Sequence, residues 1–116
     1  MSNHAGQCFS GLCEIKDARH VRIFDQFGNE HASTKRWPES LQEQRAEWAQ
    51  CASVATSLGL GELHEVWVES RRLTVIDQID TGIFAAISGK NGTKGIWRYQ
   101  LTRQRQRINA TKPQVI

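Results

Sequence analysis

The stretch LHEVWVESRRLTVIDQIDTGIFAAIS, residues 63–88, decides the fold. It divides into three strand-like segments, LHEVWVES, RLTVIDQI and GIFAAIS, rich in the β-branched and aromatic residues that suit a pleated surface. The corners between them, Ser70-Arg71-Arg72 and Asp80-Thr81-Gly82, are polar and too short for a crossover, so the strands form an antiparallel meander. Val75 with Ile83 or Ile87 would suffice for one buried face, yet Trp67, Ile76 and Phe84 are expected on the other. A sheet that is apolar on both sides needs cover on both, and helices are the available cover.

The flanking segments supply two more strands and that cover. Upstream, HVRIFDQFGNEHAS (residues 20–33) reads as a hairpin, with Val21 and Ile23 on one face, Phe24 on the other and Gly28-Asn29 in the turn. RWPES ends the strand pattern. Ser40 and Glu43 then have the spacing of a capping box, which predicts a helix over residues 41–58 with Gly59 as its left-handed stop. Leu41, Trp48, Cys51, Ala52, Ala55 and Leu58 share one face of that helix and are expected in the core. A second stripe, Ala46, Ala49, Ser53 and Ser57, recurs where a solitary surface helix would more often carry Lys, Glu or Arg. Small residues let another helix approach closely, although Ala and Ser are also simply tolerated on surfaces. Downstream, Trp97, Leu101 and Ile108 recur at helical spacing and predict a helix over 96–108; a short helix is expected over 5–14.

The loop SGKNGTKGIW (residues 88–97) is glycine-rich and carries lysine, but it is no phosphate cradle. A Walker loop needs G-x-x-x-x-G-K-[ST], whereas here Lys94 precedes Gly95 and no hydroxyl residue follows. Gly92 reads as a turn residue and Thr93 as an N-cap. Other constellations are equally incomplete. His4, Cys8 and Cys13 lack a C-x-x-C knuckle, so no metal is expected. Cys51 lies on the apolar helix face, where burial makes a thiol inert, and His20, His31 and His64 are isolated. Asp77 and Asp80 are expected to point apart or stay solvated. No catalytic residue and no cofactor-binding residue is assigned, and the chain is not expected to be an enzyme.

With 116 residues and 39% apolar content the chain fits one folded domain, expected over residues 1–108. Residues 109–116 are expected to form a flexible basic tail. The net charge of +3 is uneven: every Asp and Glu lies at or before Asp80, while Lys90, Lys94, Arg98, Arg103, Arg105, Arg107 and Lys112 follow it. Arg103, Arg105 and Arg107 are expected to face water. A basic end is compatible with nucleic acid, but no zinc pattern, helix-turn-helix spacing or aromatic ribonucleoprotein motif accompanies it, so that partner is disfavoured. No apolar run has the length of a membrane span, MSNHAGQCFSGLC lacks a signal-peptide pattern, and three cysteines form no disulfide framework. A cytoplasmic location is expected.

Two strands, a long helix, a three-strand meander and a terminal helix resemble the roadblock/dynein light chain family. The family's bacterial and archaeal members often accompany Ras-like small GTPases. The resemblance is carried by FDQFGNE in the first hairpin, the small-residue-rich helix ending SLGLGEL, EVWVES, DTGIFAAIS and NGTKGIWRYQL, and covers about residues 12–101. It implies an α/β, three-layer roadblock/profilin-like fold: a five-stranded antiparallel sheet of order 2-1-5-4-3, the long helix on one face and the terminal helices on the other. It also implies a homodimer joined through the third strand and the long helix, with Ala46, Ala49, Ser53, Ser57, Val66 and Val68 in the interface. The outward Glu43, Glu47 and Gln50 would then form part of a two-helix platform for a partner. The expected function is a non-enzymatic dimeric regulator or scaffold of a Ras-like small GTPase. The alternative is a ligand-sensing or nucleic-acid-associated module of profilin-like topology.

Overall fold

The computed structural model describes residues 4–111. Helix α1 (His4–Cys13) leads into strands β1 (Ala18–Asp25) and β2 (Glu30–Ser33). Helix α2 (Leu41–Ser57), strands β3 (Glu65–Glu69), β4 (Arg72–Asp80) and β5 (Ile83–Lys90), and helix α3 (Lys94–Thr111) follow. All neighbouring strands are antiparallel and the sheet order is β2-β1-β5-β4-β3, as expected, so β3 lies at an edge. Helix α3 extends beyond the predicted bounds at both ends, and the expected tail falls outside the described residues from 112 onward.

Strand alternation divides the core into two clusters. Val21, Ile23, Leu73, Val75, Ile79, Ala85 and Ile87 face α1 and α3, where Cys8, Leu12, Ile15, Trp97, Leu101 and Ile108 close over them. Phe24, Ile76, Phe84 and Ala86 face the other way, with Trp37, Leu41 and Trp48 half-buried against them. Phe24 and Phe84 stack at 5.3 Å between ring centroids, and Trp48 meets Phe84 edge-on at 4.8 Å. Trp67 corrects the expectation made for it. Its register partner is Val75, so it points toward α1 and α3 rather than with Ile76 and Phe84.

Local chemistry explains the element ends. The Glu43 amide donates to Ser40 Oγ at 3.1 Å, so Ser40 caps the helix as expected. The Glu43 carboxylate accepts from the Ser40 hydroxyl at 3.3 Å rather than from the Ser40 amide, so the reciprocal half of the capping box is not formed. Gly59 takes a left-handed φ of 68° and ends α2. Thr93, by contrast, does not cap α3 with its side chain, because its buried hydroxyl has no hydrogen-bond partner. Gly89 is required by a close approach: a β-carbon there would collide with the carbonyl of Asp17, which accepts from the Lys90 amide at 3.1 Å.

Candidate interaction surface

The α2 face of the sheet begins with a buried cation. Arg22 on β1 pairs through Nε with Glu30 at 3.0 Å and donates through Nη1 to Gln44 Oε1 at 2.8 Å. Its guanidinium also lies 4.7 Å from the centroid of the Trp37 ring, so one side chain ties β1, β2, the connection and α2 together. Arg45 adds a bond to the Gln26 carbonyl in the hairpin turn at 3.0 Å. That turn is itself held by Asp25, which accepts from the Phe27 and Asn29 amides at 2.9 and 3.0 Å and meets His31 at 2.9 Å. The Asn29 amide above all, then His31, holds the Asp25 carboxyl well below the usual carboxylate range.

Beyond these anchors α2 is sparsely buried. Only Gln44 and Ala55 of the helix are buried. Leu41, Trp48, Cys51 and Ala52 are half-buried, and Leu58, expected in the core, is 66% exposed because the helix ends there beyond the sheet. At roughly 100° per residue the stripe Ala46, Ala49, Ser53, Ser57 points away from Gln44 and Ala55, and all four are exposed. The Ser57 hydroxyl turns back to the Val54 carbonyl at 3.0 Å, leaving a smooth surface. Glu43, Glu47 and Gln50 lie on one shoulder together with the exposed Val54. Glu47 is half-buried and Glu43 takes part in the cap, so Gln50 is the most freely presented of the three. On the other shoulder an open cleft of about 460 Å³ separates α2 from the sheet, lined by Trp48, Ala49, Ala52, Phe84, Arg45 and Gln78 among others.

Strand β3 separates its two sides sharply. Glu65, Trp67 and Glu69 point toward α3 and are engaged by it: Arg98 reaches Glu65 at 3.3 Å, Lys94 reaches Glu69 at 2.6 Å, and both cations lie over the Trp67 ring. Val66 and Val68 pair with Ile76 and Thr74 and therefore point to the α2 side, where Val68 is 40% exposed. Thus the small-residue stripe and the two valines lie on the same side of the sheet. Lys94, paired with a carboxylate, is not presented as a phosphate ligand.

Solvation, one of the two alternatives expected for Asp77, is overturned, and so is the expectation that Arg105 faces water. Asp77 is wholly buried on the α3 side, with Arg105 Nε 3.5 Å from its Oδ2. Arg105 also lies 3.9 Å from Glu65, so this arginine faces the sheet rather than water. Burial pushes the Asp77 carboxyl up to about 6, with Arg105 and His64 opposing and Glu65 adding to the rise. Burial, with Asp77 beside it, pushes the Cys8 thiol up to about 12. Such a thiol is a poor metal ligand or nucleophile at neutral pH. Among the described residues no group of three or more His, Cys, Asp and Glu is placed to hold a metal; the side chain of His4 lies outside them. No helix among them is long and apolar enough to cross a membrane.

Arg22 is the tie of this face least visible in the sequence. Its signals were a cation at an inward strand position and Gln44 in the middle of an otherwise apolar helix face.

Known protein-family profiles and curated proteins give no match to this sequence. Solved structures do match. The chain is similar to Myxococcus xanthus MglB, with a TM-score of 0.76 at 12% identity over 90% of this chain and 93% of that one. It is also similar to a Roadblock/LC7 domain from Streptomyces avermitilis, with a TM-score of 0.68 at 16% identity and the same coverages, 90% and 93%. A third structure, described as MglB with a tetrameric arrangement, gives 0.74 at 15% identity over 95% and 90% of the two chains. The fold is therefore that of the roadblock proteins.

Proposed function

We propose that the chain is a non-enzymatic roadblock-type regulator or scaffold that works as a homodimer and engages a Ras-like small GTPase. The observation that carries the reading is the uncovered α2 face. A helix of 17 residues that buries only Gln44 and Ala55, and whose outward stripe is Ala46, Ala49, Ser53 and Ser57, suits close contact with a second helix. Val66 and Val68 on the same side of an edge strand extend that surface, and pairing two such edges would satisfy backbone groups otherwise left open. The likeness to an MglB with a tetrameric arrangement supports self-association.

The GTPase assignment rests on the family likeness. Regulation then requires that the dimer bind one nucleotide state more tightly than the other, because a ligand with equal affinity for both shifts nothing. Glu43, Glu47 and Gln50, doubled across the helix pair, are the proposed contact positions. Calorimetry against a co-encoded Ras-like GTPase loaded with GDP or a GTP analogue tests this. Preferential binding to one state, weakened by Gln50→Lys with Glu47→Lys while the dimer persists, is expected; absence of binding in both states would reject the GTPase as partner.

A further inference from the structure

The side of the molecule opposite α2 carries a second surface that the dimer reading does not use. A groove of about 340 Å³ runs between the end of α1 and the outer flank of α3. Gly11 and the buried Ile15 line it from one side, and Ile96, Gln100, Arg103 and Arg107 from the other. Ile96 is 43% exposed and Tyr99, one helical step along, is 61% exposed. The Arg103 guanidinium lies 5.9 Å from the centroid of the Tyr99 ring. Lys16 joins Arg103 at the groove, whose lining also includes Glu14 and Arg107.

This flank contrasts with the inner side of α3. There Lys94, Arg98 and Arg105 are matched by Glu69, Glu65 and Asp77 from the sheet. In the groove lining Glu14 is the one acidic residue among those described. An excess of positive charge around a concave surface raises the local concentration of negative groups, and two exposed apolar side chains beside it supply contact area that charge alone does not.

We infer that the α1–α3 groove binds an acidic peptide segment of a partner protein, one that sets an apolar side chain against Ile96 and Tyr99 and its carboxylates against Lys16 and Arg103. Concavity favours a peptide over a flat anionic membrane, which would call for a broad, protruding apolar face. Because the groove and the α2 face lie on opposite sides of the sheet, both can be occupied at once. The inference is independent of the GTPase reading, and either can fail alone.

A phage-displayed library of random short peptides tests it, selected on the full-length protein and counter-selected on Lys16→Glu/Arg103→Glu. Enriched sequences should be rich in Asp and Glu around a large apolar residue. Synthetic versions should bind the double variant about tenfold or more weakly, with a smaller loss for Arg103→Gln and for Tyr99→Ala. Affinity should fall with added salt, amide shifts should map to residues 11–16 and 96–107, and Val68→Asp should leave binding unchanged. Melting curves of the variants should match the wild type, since the altered side chains are exposed. Enrichment without acidic bias, binding unaffected by Arg103→Gln, or displacement of the peptide by phosphatidylserine vesicles or duplex DNA at lower concentration would overturn the proposal, as would failure to enrich any peptide.

Discussion

On the α1–α3 side the sheet is sealed by Leu12, Trp97 and Leu101, none of which has solvent exposure, whereas on the other side α2 lies over Phe24, Ile76 and Phe84 with two buried residues of its own. The same five strands thus support a finished core and an open one. The difference extends to charge. Strand β3 commits its glutamates and its tryptophan to α3, while the valines between them face the α2 side without such partners. Intramolecular packing accounts for the first side. The second leaves most of α2 in contact with solvent, and the proposed homodimer would cover it.

The largest expected effect falls on the sealed side. Trp97 is fully buried and its indole donates to the Lys16 carbonyl at 2.9 Å, so Trp97→Ala should cost about 3–5 kcal/mol. Trp48→Ala on the open side should cost under about 2 kcal/mol at concentrations where the chain is monomeric, because Trp48 is only half-buried against the sheet. Denaturant midpoints of the two variants measure the contrast directly, and equal losses would break it.

Asp77 gives the next effect. Its folded-state pKa is raised above the unfolded value, so its favourable contribution is complete below about pH 4 and is lost as pH rises through about 6. Arg105 from α3, Glu65 from β3, His64 and the Cys8 thiol of α1 are the charged and titratable groups around it. Asp77→Asn should therefore raise stability at pH 7.5 by roughly 1–3 kcal/mol and flatten the wild type's decline between pH 4 and 7. A lower melting temperature for the variant at pH 7.5 would show that the Arg105 contact outweighs the burial of the charge.

The smallest effect is local to the open side: Ser40→Ala should cost about 1 kcal/mol through loss of the cap. If the chain dimerises, the melting temperatures of wild type and Ser40→Ala should both rise with protein concentration while the difference between them stays, since mass action adds the same term to each.

Much of this division could be read from residue order. The meander, the hairpin, the Ser40 cap and Gly59 are local signals, and each stands where residue order places it. Burial was harder to read. The burial of Asp77 is not legible because the arginine facing it comes from α3, far along the chain, and the exposure of Leu58 is not because helical periodicity does not mark which turn of the helix is the last to be covered. The direction of Trp67 is set by register: pairing with Val75 across the Ser70 corner turns it toward α1 and α3, against the side that strand parity alone suggests. The small-residue stripe was legible as a pattern. The shallow seating of that helix was not, because periodicity alone does not show how few of its residues the sheet buries.

Light scattering across a concentration series, on the wild type, Ala49→Arg and Tyr99→Arg, tests most directly the claim that a second copy completes the α2 face. The account predicts a mass twice that of the chain for the wild type and for Tyr99→Arg at micromolar concentration, and a single-chain mass for Ala49→Arg with its fold intact by circular dichroism. A wild type that stays monomeric throughout, or an Ala49→Arg dimer as tight as the wild type, would contradict it.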